Sequence, residues 1–333
     1  MKKTVTNGAT YPDSKPRFLA RVLYFDLWYF ELKDTDAGVD LFLNITINNP
    51  YDTWIGKRFG LFRSADSITC VHLPNGEELI HPLTYYHEFE TTAKSLDITL
   101  ENVISIKSND DNLVKIHWSE PALDFACDVE FARQVPPGPE TRMDFGHRRR
   151  DTCWWFAYMP SATATGTITR GTEQISIDTR EAYSDSLWGS TSSLAWIPWI
   201  FIHGNDILVF AWSSGIKRER VALKVYYSGK WKAFERVSFE MESFTTSEKY
   251  SLRYPSKIHV SAQSGSTSID FVTEETGSSF VFDIGMNGMV VPIVRSLNFS
   301  SSGRYIEGES SIRFEREDTS FDWWQPLDYF KLL

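Results

Sequence analysis

The stretch "TGTITRGTEQISIDTREAYSDSLWG", residues 165–189, decides how the chain is read. Two runs of alternating and β-branched residues flank Arg170-Gly171, the composition of a hairpin tip between two strands. On a strand, residues two apart share a face. Glu181, Tyr183 and Asp185 therefore point one way, and Ala182, Ser184 and Ser186 the other. Asp185 is either a turn acid accepting backbone N–H groups or a carboxyl group set in apolar surroundings. In the second case burial would raise its pKa and favour a neutral hydrogen-bond donor.

Working outward, the period of two persists. "VDLFLNITIN" (39–48), "SLDITLENVISIK" (95–107), "LVKIHW" (113–118) and "DFACDVEFA" (124–132) all read as strands. So do "DILVFAWSS" (206–214), "KIHVSAQ" (257–263), "TSIDFVTEE" (267–275), "SSFVFDIG" (278–285) and "GRYIEGESSIRFERE" (303–317). "YSGKWKAF" is a hairpin with Gly229 in its turn. "SNDDN" (108–112) reads as another turn, without the glycine and distant glutamate of a calcium loop. No window of a dozen residues keeps a 3.6 period; only short helices near Tyr51–Ile55 or in the final "WWQPLDYFKLL" are compatible with the pattern. The fold expected is all-β, an antiparallel sandwich or barrel architecture.

A chain of 333 residues exceeds a usual single core, so two units are expected, at 1–195 and 196–333. The Trp/Pro/Gly-rich stretch 188–205 is the expected crossing. No sequence repeat with a period of 20–50 residues is visible. The chain is 42% hydrophobic, and its aromatic share of 15%, with 12 Trp, suits a thick core or a chamber for an apolar ligand.

A net charge of −10 argues against nucleic acid and anionic lipid as partners. The basic run His147–Arg150 is short and reads as a solvated loop. Three widely spaced cysteines support neither a disulfide framework nor a zinc site, and favour a reducing compartment. The first residues hold no apolar segment of a signal peptide, and "LAWIPWIFI" (194–202) is about half the length of a membrane span. A soluble cytoplasmic protein is expected. The glycosylation-type triplets at Asn44 and Asn298 matter only after secretion. There is no nucleophile elbow, phosphate loop or HExxH, and Tyr86-His87-Glu88 is the nearest approach to a ligand pair. No metal is expected. Upstream, "CWWFAYMP" (153–160) puts Trp154, Phe156 and Tyr158 on one face and Trp155 on the other.

From Trp154 to Gly189 the chain resembles the carotenoid 1,2-hydratase/AttH-like family and its relatives, the lipocalin-like Diels–Alderases of natural-product pathways. These carry an aromatic strand ending near Pro, a hairpin, and a segment close to G-Y-H-D-H-N-W-G. Here that segment reads Ala182-Tyr183-Ser184-Asp185-Ser186-Leu187-Trp188-Gly189: Tyr, Asp, Trp and Gly are kept, both His are Ser, and Asn is Leu. "LWYFEL" (27–32) is similar to the family's opening strand, and "RYIEGESSIRFE" (304–315) to its closing one.

The resemblance implies two lipocalin-like (calycin) units with a hydrophobic pocket within or between them. It implies catalytic roles for Asp185 and Tyr183, a pocket aromatic among Trp154, Trp155, Tyr158 and Trp188, and lining or packing by Trp28 and Phe30. A hydratase must resupply the proton it adds to an alkene, which is harder without the histidines. A cyclase needs a shaped chamber and a hydrogen bond to the reacting carbonyl. The altered motif thus favours a [4+2] cyclase acting on a linear polyene or polyketide-type substrate. A hydratase or isomerase of a terpenoid alkene and a non-catalytic carrier are the alternatives. None of the three requires a cofactor.

Overall fold

The structure is a computed structural model. It describes residues 24–48, 64–86, 89–91, 96–110, 112–137, 142–144, 153–190, 197–204, 206–214, 220–234, 236–248, 250–277, 280–286 and 289–324. The two proposed helical stretches lie outside these residues, except that Trp323 and Trp324 belong to a strand. His87, Glu88 and the basic run 147–150 also lie outside them.

The chain forms two antiparallel sheets. The first contains β1 (Tyr24–Asp34), β2 (Val39–Asn48), β3 (Ser64–His72), β4 (Glu78–Tyr86), β5 (Phe89–Thr91) and β6 (Asp97–Leu100). It continues with β7 (Ile104–Asp110), β8 (Leu113–Glu120), β9 (Phe125–Arg133), β10 (Arg142–Asp144), β11 (Cys153–Arg170) and β12 (Glu173–Ser190). The second contains β13 (Ile197–His203), β14 (Ile207–Ser214), β15 (Arg220–Tyr227), β16 (Lys230–Phe234) and β17 (Val237–Thr246). It closes with β18 (Arg253–Ser264), β19 (Thr267–Glu275), β20 (Phe280–Met286), β21 (Met289–Glu307) and β22 (Ser310–Trp324). Among the described residues the only helical turn is a 3-10 turn at Pro121–Leu123.

The all-β expectation holds: the sheets are two curled, half-barrel layers of lipocalin-like type. By contacts the chain divides into two compact units, the first mainly up to Pro137 with Arg150–Thr191, the second mainly Ser192–Ile284 with Met289–Leu333. The expected crossing at 188–205 is mostly strand: β12 runs to Ser190 and β13 begins at Ile197.

Both sheets share one plan. The strand order is β4-β3-β2-β1-β12-β11-β9-β8-β7-β6-β5 in the first and β16-β15-β14-β13-β22-β21-β19-β18-β17 in the second. In each, the first strand pairs with the last, and the last two strands form one long hairpin. Each hairpin carries a glycine, Gly166 and Gly303, where a Cβ would collide with the neighbouring strand at Asp128 or Phe271. The duplication lies in strand order, not in residues.

Alternation explains the simple strands. In β8 it buries Val114, Ile116 and Trp118, and the first core collects them with Phe131, Ile168 and Ile177. Phe30 on β1 meets Phe131 on β9 at 5.8 Å, ring to ring across the curl. Arg170 at the hairpin tip donates to Leu123 O and to Glu77 Oε1 in the β3–β4 turn, tying two edges together. The hairpin turns fall where expected: Ser228-Gly229 takes φ of 49° and 79°, and Gly171 takes 59°.

Candidate functional site

Cross-strand partners in a sheet share a face. On the inner side of the first sheet, Trp28 pairs with Ile45 and Ser186, and Phe30 with Leu43 and Ser184. On the opposite side, Asp185 pairs with Tyr29 and Ala157, Leu187 with Leu27 and Trp155, and Tyr29 in turn with Asn44. Both sides are buried. Tyr29, Phe42, Asn44, Thr46, Asp66, Trp155, Tyr183 and Asp185 are all under one-tenth exposed, although they face away from the core. Asn44, buried at 2%, is no surface glycosylation acceptor.

Asp185 is therefore a buried acid and not a turn carboxylate. Its side chain is 7% exposed and accepts a 2.5 Å hydrogen bond from Tyr183 Oη. Burial, with the Asp185 charge next, holds the Tyr183 hydroxyl well above its ordinary value of 10.0, so it keeps its proton. The Tyr29 ring lies 6.2 Å from the Tyr183 ring and 6.3 Å from Phe42, and its hydroxyl donates to Glu31. One strand further, Asn48 Nδ2 donates to the buried Asp66 at 2.7 Å. Asp34 is buried too, but its partners are the backbone N–H groups of Ala37 and Asp178, a turn-fixing role.

The aromatic residues divide as the simple alternation has them. Trp155, with Ala157, lies on the Asp185 face, whereas Phe156 and Tyr158 lie on the inner side. Tyr158 shares the inner side with Phe156, and in the core it meets Trp28 edge-on at 5.5 Å. Trp28, Phe30 and Tyr158 thus belong to the packed inner layer, not to the surroundings of Asp185. Trp154 and Trp188 are backbone partners, and their side chains lie outside the described residues. The residues that do flank the pair, Tyr29 and Phe42, went unnamed in the sequence reading. The phase of "LWYFEL" held the signal, but only its pairing with β12 reveals which alternate set accompanies Asp185.

On the inner side, β12 offers Ser184 and Ser186. Ser186 Oγ donates to buried Asp26 at 3.5 Å, and Ser67 and Tyr86 share a 3.0 Å hydrogen bond. Ser184 Oγ and Thr69 Oγ1 are buried without a partner. The first sheet thus sets polar groups within apolar walls on both of its faces. That can orient an apolar molecule by a few hydrogen bonds.

No helix among the described residues is long and apolar enough to cross a membrane. No family model and no curated protein matches the sequence. Solved structures do. An AttH candidate from Nitrosomonas europaea matches with TM-score 0.65 and 14% identity over 91% of this chain and 93% of its own. Kievitone hydratase from Nectria haematococca matches with TM-score 0.62 and 13% identity over 99% and 98%. CghA, a Diels–Alderase solved with Sch210972, matches with TM-score 0.58 and 10% identity over 92% and 89%. At such identities the likeness establishes the fold: the chain has the two-unit, all-β architecture of an AttH-like protein, a hydratase and a Diels–Alderase, as the resemblance around Asp185 implied.

Proposed function

We propose that the chain is a cofactor-independent cyclase that folds a linear apolar polyene or polyketide-type substrate for an intramolecular [4+2] cycloaddition. The observation that carries this reading is the buried Tyr183–Asp185 hydrogen bond on a face where Tyr29, Phe42, Leu27, Leu187 and Trp155 stand beside the buried polar Asn44, Thr46 and Asp66. An aromatic and aliphatic wall holds a polyene in its reactive conformer, and positioning of this kind removes several kcal/mol of barrier, up to about 7–11 in the best cases. Asp185 orients the Tyr183 hydroxyl. A carbonyl oxygen on the dienophile competes for that proton, and the hydrogen bond strengthens as charge develops on the oxygen.

Hydration is the second reading, favoured by the proton that Tyr183 retains beside Asp185. It asks more of the site. No histidine occurs on β1, β2, β11 or β12, the strands around the pair, so proton resupply would fall to water. A carrier that binds without reaction is the third. All three concern a small apolar ligand and a soluble protein.

Product analysis separates them. The protein is incubated with linear polyenes, some bearing a tetramate or enone carbonyl, and products are resolved by mass and retention. A cyclised product of unchanged mass supports the proposal. A product heavier by one water replaces it with hydration, and tight binding of these polyenes without turnover replaces it with carriage.

A further inference from the structure

We propose that the β3–β4 hairpin holds a zinc ion on Cys70, His72 and Glu78. Residues 70 and 72 alternate along β3 and share a face. His72 pairs across the ladder with Glu78, the first residue of β4. The turn between them is fixed by Leu73 N donating to Glu77 O at 2.8 Å and Gly76 N to Leu73 O at 2.9 Å, with Gly76 at φ 80°. Arg170 pins the same turn through Glu77.

The donor atoms are spaced as a metal requires. Cys70 Sγ lies 3.6 Å from His72 Nε2 and 3.7 Å from Glu78 Oε1, and Nε2 lies 3.8 Å from Oε1. With zinc–ligand bonds of about 2.0–2.3 Å, a tetrahedral ion would set these edges at roughly 3.4–3.6 Å, so closure needs only small side-chain movements. The three groups stand clustered as possible ligands. Sulfur, imidazole and one carboxylate oxygen suit zinc, and not calcium or magnesium, which take oxygen.

The thiol is 1% exposed, whereas the His72 and Glu78 side chains are 36% and 40% exposed. The ion would sit at the surface end of the trio with water as fourth ligand, and the Cys70 proton would pass to solvent on binding. Asp40 on β2 stands opposite His72 in the register, a further carboxylate on this face. Cys70 shares the face of Tyr183 but lies three strand spacings away, about 14 Å, with Phe42 opposite it on β2, so the ion itself would stand apart from the reacting groups. Its expected effect is to clamp β3 to β4 and raise thermal stability with the logarithm of free zinc above its Kd.

The test is calorimetric titration of the chelator-treated full chain with Zn²⁺, paired with Co²⁺ spectroscopy. One equivalent should bind, with a thiolate-to-cobalt charge-transfer band and tetrahedral ligand-field bands. Cys70→Ser and Glu78→Gln should each weaken binding by about 100-fold or more, beyond what the loss of an outer-shell partner does. Glu78 is partly exposed, so its variant keeps the fold readable should Cys70→Ser unfold. His117→Gln removes a cross-strand His–Asp pair without a thiol and should leave the titration unchanged. Absence of stoichiometric binding, or binding that survives both ligand substitutions, overturns the site.

Discussion

β12 and β22 each carry an aspartate at the same place in the shared plan, and the two are held differently. Asp185 and Asp322 fall equally far beyond Ile177 and Phe314, the partners of Gly166 and Gly303. Each faces away from the core of its own unit. Asp322 is clamped by Arg295, which is 1% exposed and donates from Nη1 to both carboxylate oxygens at 3.0 and 3.1 Å. By pairing, the counterpart of Arg295 is Ala157, which stands opposite Asp185 as Arg295 stands opposite Asp322. Ala157 brings no charge to that place, and Asp185 is met by the Tyr183 hydroxyl instead.

The inner positions differ in the same sense. Where the first unit places Ser184 and Ser186, the second places Phe321 and Trp323, and Phe321 stacks on Phe299 at 4.4 Å. One unit is packed solid at this level; the other keeps small polar groups. The comparison teaches that an alanine in place of the arginine opposite the aspartate, with two small residues beside it, separates a structural ion pair from a candidate reactive one.

The largest effect expected from breaking the comparison is at Arg295. Arg295→Ala leaves a mostly buried carboxylate without its clamp and should destabilise by roughly 3–5 kcal/mol in urea unfolding, whereas Arg295→Met with Asp322→Leu should recover most of the loss. Next, Tyr183→Phe should lower stability by about 1.5–3 kcal/mol, since the hydrogen bond ends on a buried charged group, and should slow turnover. A loss at Tyr183 as large as that at Arg295 would erase the distinction.

Smaller effects sharpen it. Ser301 receives a hydrogen bond from Thr319 at 2.7 Å and donates one to Thr273 at 2.8 Å. Ser301→Ala should therefore cost about 0.5–1.5 kcal/mol, while Ser184→Ala, which removes an unpartnered buried hydroxyl, should be neutral or stabilising. The smallest effect is alkaline. Tyr183 is held well above 10.0 and Tyr305 is pushed up to about 12, both chiefly by burial. Their contribution is present in full below about pH 10, where unfolded tyrosine ionises, and is lost as pH climbs towards the folded values. Thermal midpoints stepped through that window should fall, and fall less in Tyr183→Phe.

The residues themselves show why some of this was legible in sequence and some was not. Val114, Ile116 and Trp118 alternate without interruption, so β8 could be read directly, and Gly229 marked its turn through the φ it must adopt. Tyr183 and Asp185 sit on an unbroken segment of β12, so their common face followed from the period of two. The same period put Tyr158 with Phe156 and opposite Trp155, but which of these sets accompanies Asp185 depends on the pairing of β11 with β12, which leaves no mark in composition. β2 reads as an ordinary strand, but Asn44, Thr46 and Asn48 are buried on the side where alternation places solvent. The pairing of Cys70 and His72 with Glu78 depends on the hairpin register of β3 and β4, which the scattered histidines gave no reason to suspect.

The most direct test of the difference between the two aspartates is turnover per folded molecule in Asp185→Asn and Asp322→Asn, assayed on the same polyene panel. The account expects Asp185→Asn to keep its fold and lose much of its turnover, and Asp322→Asn to lose stability while each folded molecule reacts as before. Full turnover in Asp185→Asn, or an equal loss in both, would contradict it.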